Sequence, residues 1–115
     1  MIDQTASGED RRAELLRSHM EILKVRFVQR AGDDAAEMLD SLDRGDRAGL
    51  GDRAHRLAGI AATFGYPAIG EEAAVLQQVI AEDRSDADLG VAVRRLVELL
   101  EMCNLLTDSG KARPT

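Results

Sequence analysis

Apolar residues recur at spacings of three and four along most of the chain, a period that predicts helices. The longest run sets Leu16, Met20, Leu23, Phe27, Ala31, Ala35, Met38 and Leu42 on one face, predicting a long helix from about Ser18 to Asp43. Residues 9–17 are either a short helix of their own or the beginning of this one. Gly32 falls inside the pattern. Gly costs about 1 kcal/mol relative to Ala in a helix, so a weak point or kink is expected there. Arg44-Gly45-Asp46 reads as a turn, with Asp46 placed to cap the next helix. That helix is predicted from Arg47 to about Phe64, ended by Gly65. Pro67 suits the first turn of the helix that follows, which runs to about Asp83 with Ile69, Ala73, Leu76 and Ile80 inward. Ser85 and Asp88 form an S-x-x-D cap before a last helix striped with Leu89, Val93, Leu96, Leu100 and Cys103. Short links between long amphipathic helices predict antiparallel neighbours. The expected fold is all-α, an up-down antiparallel four-helix bundle with room for a short extra N-terminal helix. Residues 1–8 and 107–115 are expected as flexible tails around a single domain spanning 9–106.

Composition narrows the function. The chain has 115 residues, enough for one domain. With two Phe, one Tyr and no Trp, the core must be built from aliphatic residues. A net charge of −6 argues against a general nucleic-acid binder, which needs a basic face to displace counterions. The single Cys103 cannot form an internal disulfide and reads as a packed thiol. The longest stretch without charged residues, Leu57 to Gly70, has 14 residues and holds three Gly and a Pro, too short to span a bilayer. The polar start, Met1 to Asp10, lacks the apolar run of a signal peptide. A cytoplasmic protein with no membrane association is expected.

The helix from Arg47 carries the candidate chemistry. On a wheel of 100° per residue, Leu50, Ala54, Leu57, Ile60, Ala61 and Phe64 fall opposite His55. His55 faces outward among Gly51, Asp52, Ala58, Gly59 and Ala62. Exposed faces normally carry long side chains, and Gly is disfavoured there. Small neighbours leave a bare patch on which another protein can approach the ring. A free imidazole titrates at about 6.5, so its neutral, nucleophilic form is available near neutral pH. The plainer reading is that a lone helical histidine is solvent-facing or hydrogen-bonded, and that small residues serve close helix packing. Arg53 falls toward the buried side. Either it snorkels its charge to water at a bundle edge, or the wheel is rotated. His19 carries no signature and has no further ligands in register, so no metal site is expected.

The segment AHRLAGIAATFG, beginning at Ala54, resembles the signature of histidine-containing phosphotransfer (HPt) domains. In that family the phosphorylated His is followed by a Gly four residues later and another ten later, as His55 is by Gly59 and Gly65. Ala54 and Leu57 match as well, and Phe27, Gly45 and Asp46 sit where the family has an aromatic and a Gly-Asp turn. The resemblance spans roughly residues 15–105. It implies a phosphorelay intermediate of two-component signal transduction, with His55 as phosphoryl acceptor. Its partners would be receiver domains of response regulators and hybrid histidine kinases. No cofactor is implied, since Mg²⁺ and the acidic pocket belong to the receiver, and a monomer is expected. Helix geometry adds a separate check. His55 lies about ten residues, roughly 15 Å, from the turn, and the same distance down the next helix from Pro67 reaches Gln77. An amide at that level can orient one ring nitrogen and leave the other exposed, a role the family gives to Gln or Glu at this offset. Alternatively, Gln77 is a solvated helix residue.

One position departs from the family. Where a Lys usually stands three residues after the His, this chain has Ala58. Arg56, about 100° around the helix, is expected to swing partly into the gap, and Asp52 adds a negative charge on the same face. The missing Lys keeps open a second function: an interaction module that binds receivers or kinases without transferring phosphate. A histidine-dependent hydrolase is disfavoured, because no Ser or Cys nucleophile has a base at suitable spacing and no oxyanion-hole motif is present.

Overall fold

The computed structural model describes the backbone of residues 2–110 and the side chains of residues 8–105. Four helices account for most of it: α1 (Ile2–Arg44), α2 (Arg47–Ile60), α3 (Pro67–Ala81) and α4 (Asp86–Gly110). α1 packs on α2 and α4, and α3 packs on the same two, so the helices close into a four-membered ring. Neighbours are antiparallel. Along α2 and α3, for example, the backbone at Gly51 faces Ile80 while Ala58 and Ala61 face Gly70. The core is aliphatic, with Met38, Leu50, Leu57, Leu76, Leu96 and Leu100 fully enclosed. Cys103 joins it, and burial pushes its thiol pKa up.

The links follow the expected local chemistry. Gly45 and Gly65 both take positive φ, which costs Gly nothing. The Asp46 carboxylate accepts from the Gly49 backbone N–H at 2.9 Å, and the Ser85 hydroxyl accepts from the Asp88 N–H at 3.1 Å. A Cβ at Gly49 would crowd the Asp46 carboxylate, which would have to shift to keep the cap. Pro67 opens α3. Arg47 ties the ends together: its guanidinium donates to the Arg84 carbonyl and to the Asp86 carboxylate, each at 2.9 Å.

Several boundaries differ from expectation. Residues 9–17 are the beginning of α1 and not a separate helix. Residues 2–8 and 107–110, expected as tails, continue the helical backbone of α1 and α4. Extending a helix already formed adds one hydrogen bond per residue fixed, with no new nucleation cost. Met1 and residues 111–115 lie outside the described residues. The α-helical part of α2 stops at Ile60, and Ala62–Phe64 form a tighter 3-10 turn before Gly65. α3 ends at Ala81, two residues early, because Asp83 adopts φ +52 and the chain reverses there. α1 passes through Gly32 unbroken. There the absent side chain leaves room for Asn104 of α4, whose amide donates to the Val28 carbonyl at 3.0 Å.

α1 also overshoots the bundle. Lys24 lies over the Tyr66 ring, 5.9 Å from its centroid, so the α2–α3 link is level with residue 24. The stripe is therefore buried only from Phe27 onward, while Leu16 and Met20, expected inward, are exposed. On α3 the buried position is Val79, with Ile80 at the edge.

Candidate functional site

The site is built on α2 and the face of α3 beside it. Leu50, Ala54 and Leu57 bury the inner side of α2. That anchoring turns His55 outward, and its side chain is exposed. Across the groove, Leu76 is enclosed in the core, which places the next residue, Gln77, at the groove edge. Gln77 Nε2 lies 3.1 Å from His55 Nδ1. A carboxamide can present either end to the ring. With its N–H₂ toward Nδ1 it donates, and the ring proton resides on Nε2. With its oxygen toward Nδ1 it accepts, and Nε2 carries a free lone pair.

The small residues around His55 divide into two sets. Asp52, Gly59 and Ala62 are exposed, whereas Gly51 and Ala58 are half-buried along the α2–α3 groove. Nothing lies within 4 Å of where a Gly59 Cβ would sit, so no packing contact within the domain demands glycine there. A Cβ at Gly51 would meet Ile80 only at ordinary contact distance, 3.8 Å.

The arginines of α2 serve the opposite groove. Arg53 is half-buried and pairs with Glu37 of α1, so it sits at the bundle edge with its charge paired. Ile60, expected inward, is exposed, so the inner face of α2 is rotated toward Gly51 and Ala58. Arg56 does not swing toward Ala58. Its guanidinium is 3.8 Å from Asp34, on the α1 side, while Ala58 faces α3. The two positions fall on opposite sides of His55 around the helix. Asp34 is the residue that draws Arg56 away, and sequence reasoning passed over it. Its side chain is 7% exposed, with Arg30, Arg53 and Arg56 all within 4 Å. Burial raises its pKa, and the three guanidinium groups pull it back only in part. The signal was present in the spacing, since Asp34 falls between Ala31, Ala35 and Met38 on the buried stripe. A carboxylate there requires cations from the facing helix.

Phe27, Phe64 and Tyr66 close the end of the bundle above the site, with Phe27 5.6 Å from each of the other two ring centroids. Among the described residues no group of His, Cys, Asp and Glu is arranged to hold a metal ion, and no helix is long and apolar enough to cross a membrane.

The sequence profile of the Hpt domain matches residues 22–108, which include α2, α3 and all of the site. The chain belongs to the Hpt domain family. Comparison with curated proteins and with solved structures gave no match. Hpt domains are phosphoryl carriers in phosphorelays rather than enzymes in the usual sense, and they engage receiver domains. The four-helix bundle agrees with the family fold.

Proposed function

We propose that this Hpt domain accepts a phosphoryl group on His55 from the phospho-aspartate of one receiver domain and passes it to the aspartate of another. The observation that carries the reading is an exposed imidazole held through Nδ1 by Gln77, on a helix face where Gly59 and Ala62 leave Nε2 open to approach. In the transfer, a P–O bond to the receiver carboxylate breaks and a P–N bond to His55 Nε2 forms. The carboxylate departs with the electron pair. In-line attack requires the two chains within a few ångströms, which the bare patch permits. The receiver supplies Mg²⁺, and the Hpt side supplies a positioned nucleophile. Incubation with a phosphorylated receiver domain tests this directly: the expected result is an acid-labile, alkali-stable label on the chain. A chain that binds the receiver and takes no label would instead be an interaction module.

Gln77 orients the ring in this reading. The reactive state has the Gln77 oxygen accepting from Nδ1–H, so that Nε2 presents its lone pair. Gln77→Ala should slow transfer moderately and shift the tautomer balance seen in ¹⁵N NMR of the ring. Unchanged ring signals together with an unchanged rate would exclude the role.

Ala58 leaves the phosphoryl group without the usual cation, and Arg56, paired toward α1, does not replace it. Phosphorylation of an ordinary ester adds about −1.5 to −2 of charge at pH 7, and a phosphoramidate is comparable. A Lys at position 58, one turn from His55 on the α3 side, can reach a phosphoryl oxygen. An exposed pair of this kind is worth about 0.2–1 kcal/mol. Ala58→Lys should therefore shift the transfer equilibrium several-fold toward phospho-His55, and the gain should shrink as salt rises. The measurement is the ratio of phosphorylated Hpt to phosphorylated receiver at low and high salt. No shift at low salt would mean that the site has no deficit to repair.

A further inference from the structure

The face of α1 that points away from the bundle carries three exposed apolar residues where solvent-facing positions are usually polar. Phe27, Ala31, Ala35 and Met38 define the inward side of α1. At 100° per residue, Leu15, Ile22 and Val25 point the opposite way. They are 65%, 51% and 43% exposed. Together with the polar Arg11, Ser18 and Gln29 they occupy positions at alternating intervals of four and three, the spacing of a two-stranded coiled-coil seam, with three of the six positions apolar. Ile22, Val25 and Gln29 line a shallow hollow along this face, with Glu21 and Arg26 at its edges. No other part of the described bundle can cover the seam, because α2 and α4 pack on the inward half of α1.

The flanking charges identify the occupant. Glu14 and Glu21 run along one side of the seam, and Arg12, His19 and Arg26 along the other. If two copies pair in antiparallel fashion, each side meets its own kind and like charges face each other. If they pair in parallel, each side meets the opposite side of the partner five residues on, so Glu21 faces Arg26 of the second copy and Glu14 faces its His19. A two-fold axis makes each contact twice. We infer that residues 11–29 of α1 pair in parallel with the same segment of a second copy of this chain. This departs from the monomer expected from sequence. The seam lies on α1, whereas His55 lies on α2 beside α3, so pairing leaves both acceptor histidines open.

Sedimentation equilibrium of the full chain at concentrations up to about 500 μM, a range that captures micromolar association, tests the inference. The mass should rise from 12.5 kDa toward twice that value. Ile22→Glu should return it to the single-chain mass with helical circular dichroism unchanged. Glu21→Arg and Arg26→Glu should each weaken association several-fold, and the double variant should recover it. Direction is read separately: Val25→Cys in a Cys103→Ser background should oxidise to a covalent dimer, since only parallel pairing sets residue 25 against itself. A single-chain mass at every concentration overturns the inference. So does a dimer that survives Ile22→Glu, one indifferent to both charge variants, or one whose Val25→Cys form does not cross-link.

Discussion

His55→Gln is expected to abolish phosphoryl labelling while leaving the bundle folded. The side chain is exposed, and its polar contact within the domain is the one to Gln77. Surface substitutions without packing consequences usually change stability by no more than about 0.5 kcal/mol. Helical circular dichroism and the thermal midpoint should thus stay close to wild type. Transfer, by contrast, should fall below detection, because an amide nitrogen has no available lone pair with which to attack phosphorus. The other histidine, His19, lies on the part of α1 that extends past the bundle, far along the chain from the small-residue patch of α2. Label persisting in the folded variant would place the acceptor elsewhere and remove the central proposal.

Gly59 offers the second large effect, and two substitutions there should part company. A Cβ at this position meets nothing within 4 Å. Gly59→Ala should therefore be tolerated, and it should stabilise α2 by up to about 1 kcal/mol through helix propensity. Gly59→Gln should fold equally well, since its side chain extends into solvent in the isolated domain. It would also stand one turn from His55 on the face the receiver must approach. Overfilling a close contact costs about 1–3 kcal/mol, which corresponds to a loss of roughly 5- to 150-fold in transfer at sub-saturating receiver. The decisive comparison is stability against receiver-dependent rate across wild type, Ala and Gln. A folded Gly59→Gln variant that transfers at the wild-type rate would show that the bare patch is not where the receiver docks.

What sequence by itself determined about this protein is its local order. The number of helices, the caps at Asp46 and Ser85, the left-handed glycines at positions 45 and 65, and Pro67 at the start of α3 all rest on interactions within a few residues. The level of Gln77 opposite His55 was legible for a related reason: a fixed rise per residue and a short link set the register of two antiparallel helices. Other features depended on how helices sit against one another. A wheel gives the angles between residues of one helix, but not its rotation against a neighbour, so the exchange of Ile80 for Val79 in the core was not readable. Nor was the destination of Arg56. From α2 alone, the gap beside Ala58 and the groove beside α1 were equally open to it, and only the buried carboxylate of Asp34, brought across from α1, decides between them. The overshoot of α1 belongs to the same class. Periodicity carries the apolar stripe back to Leu16, but burial needs a partner, and the α2–α3 link turns back level with residue 24.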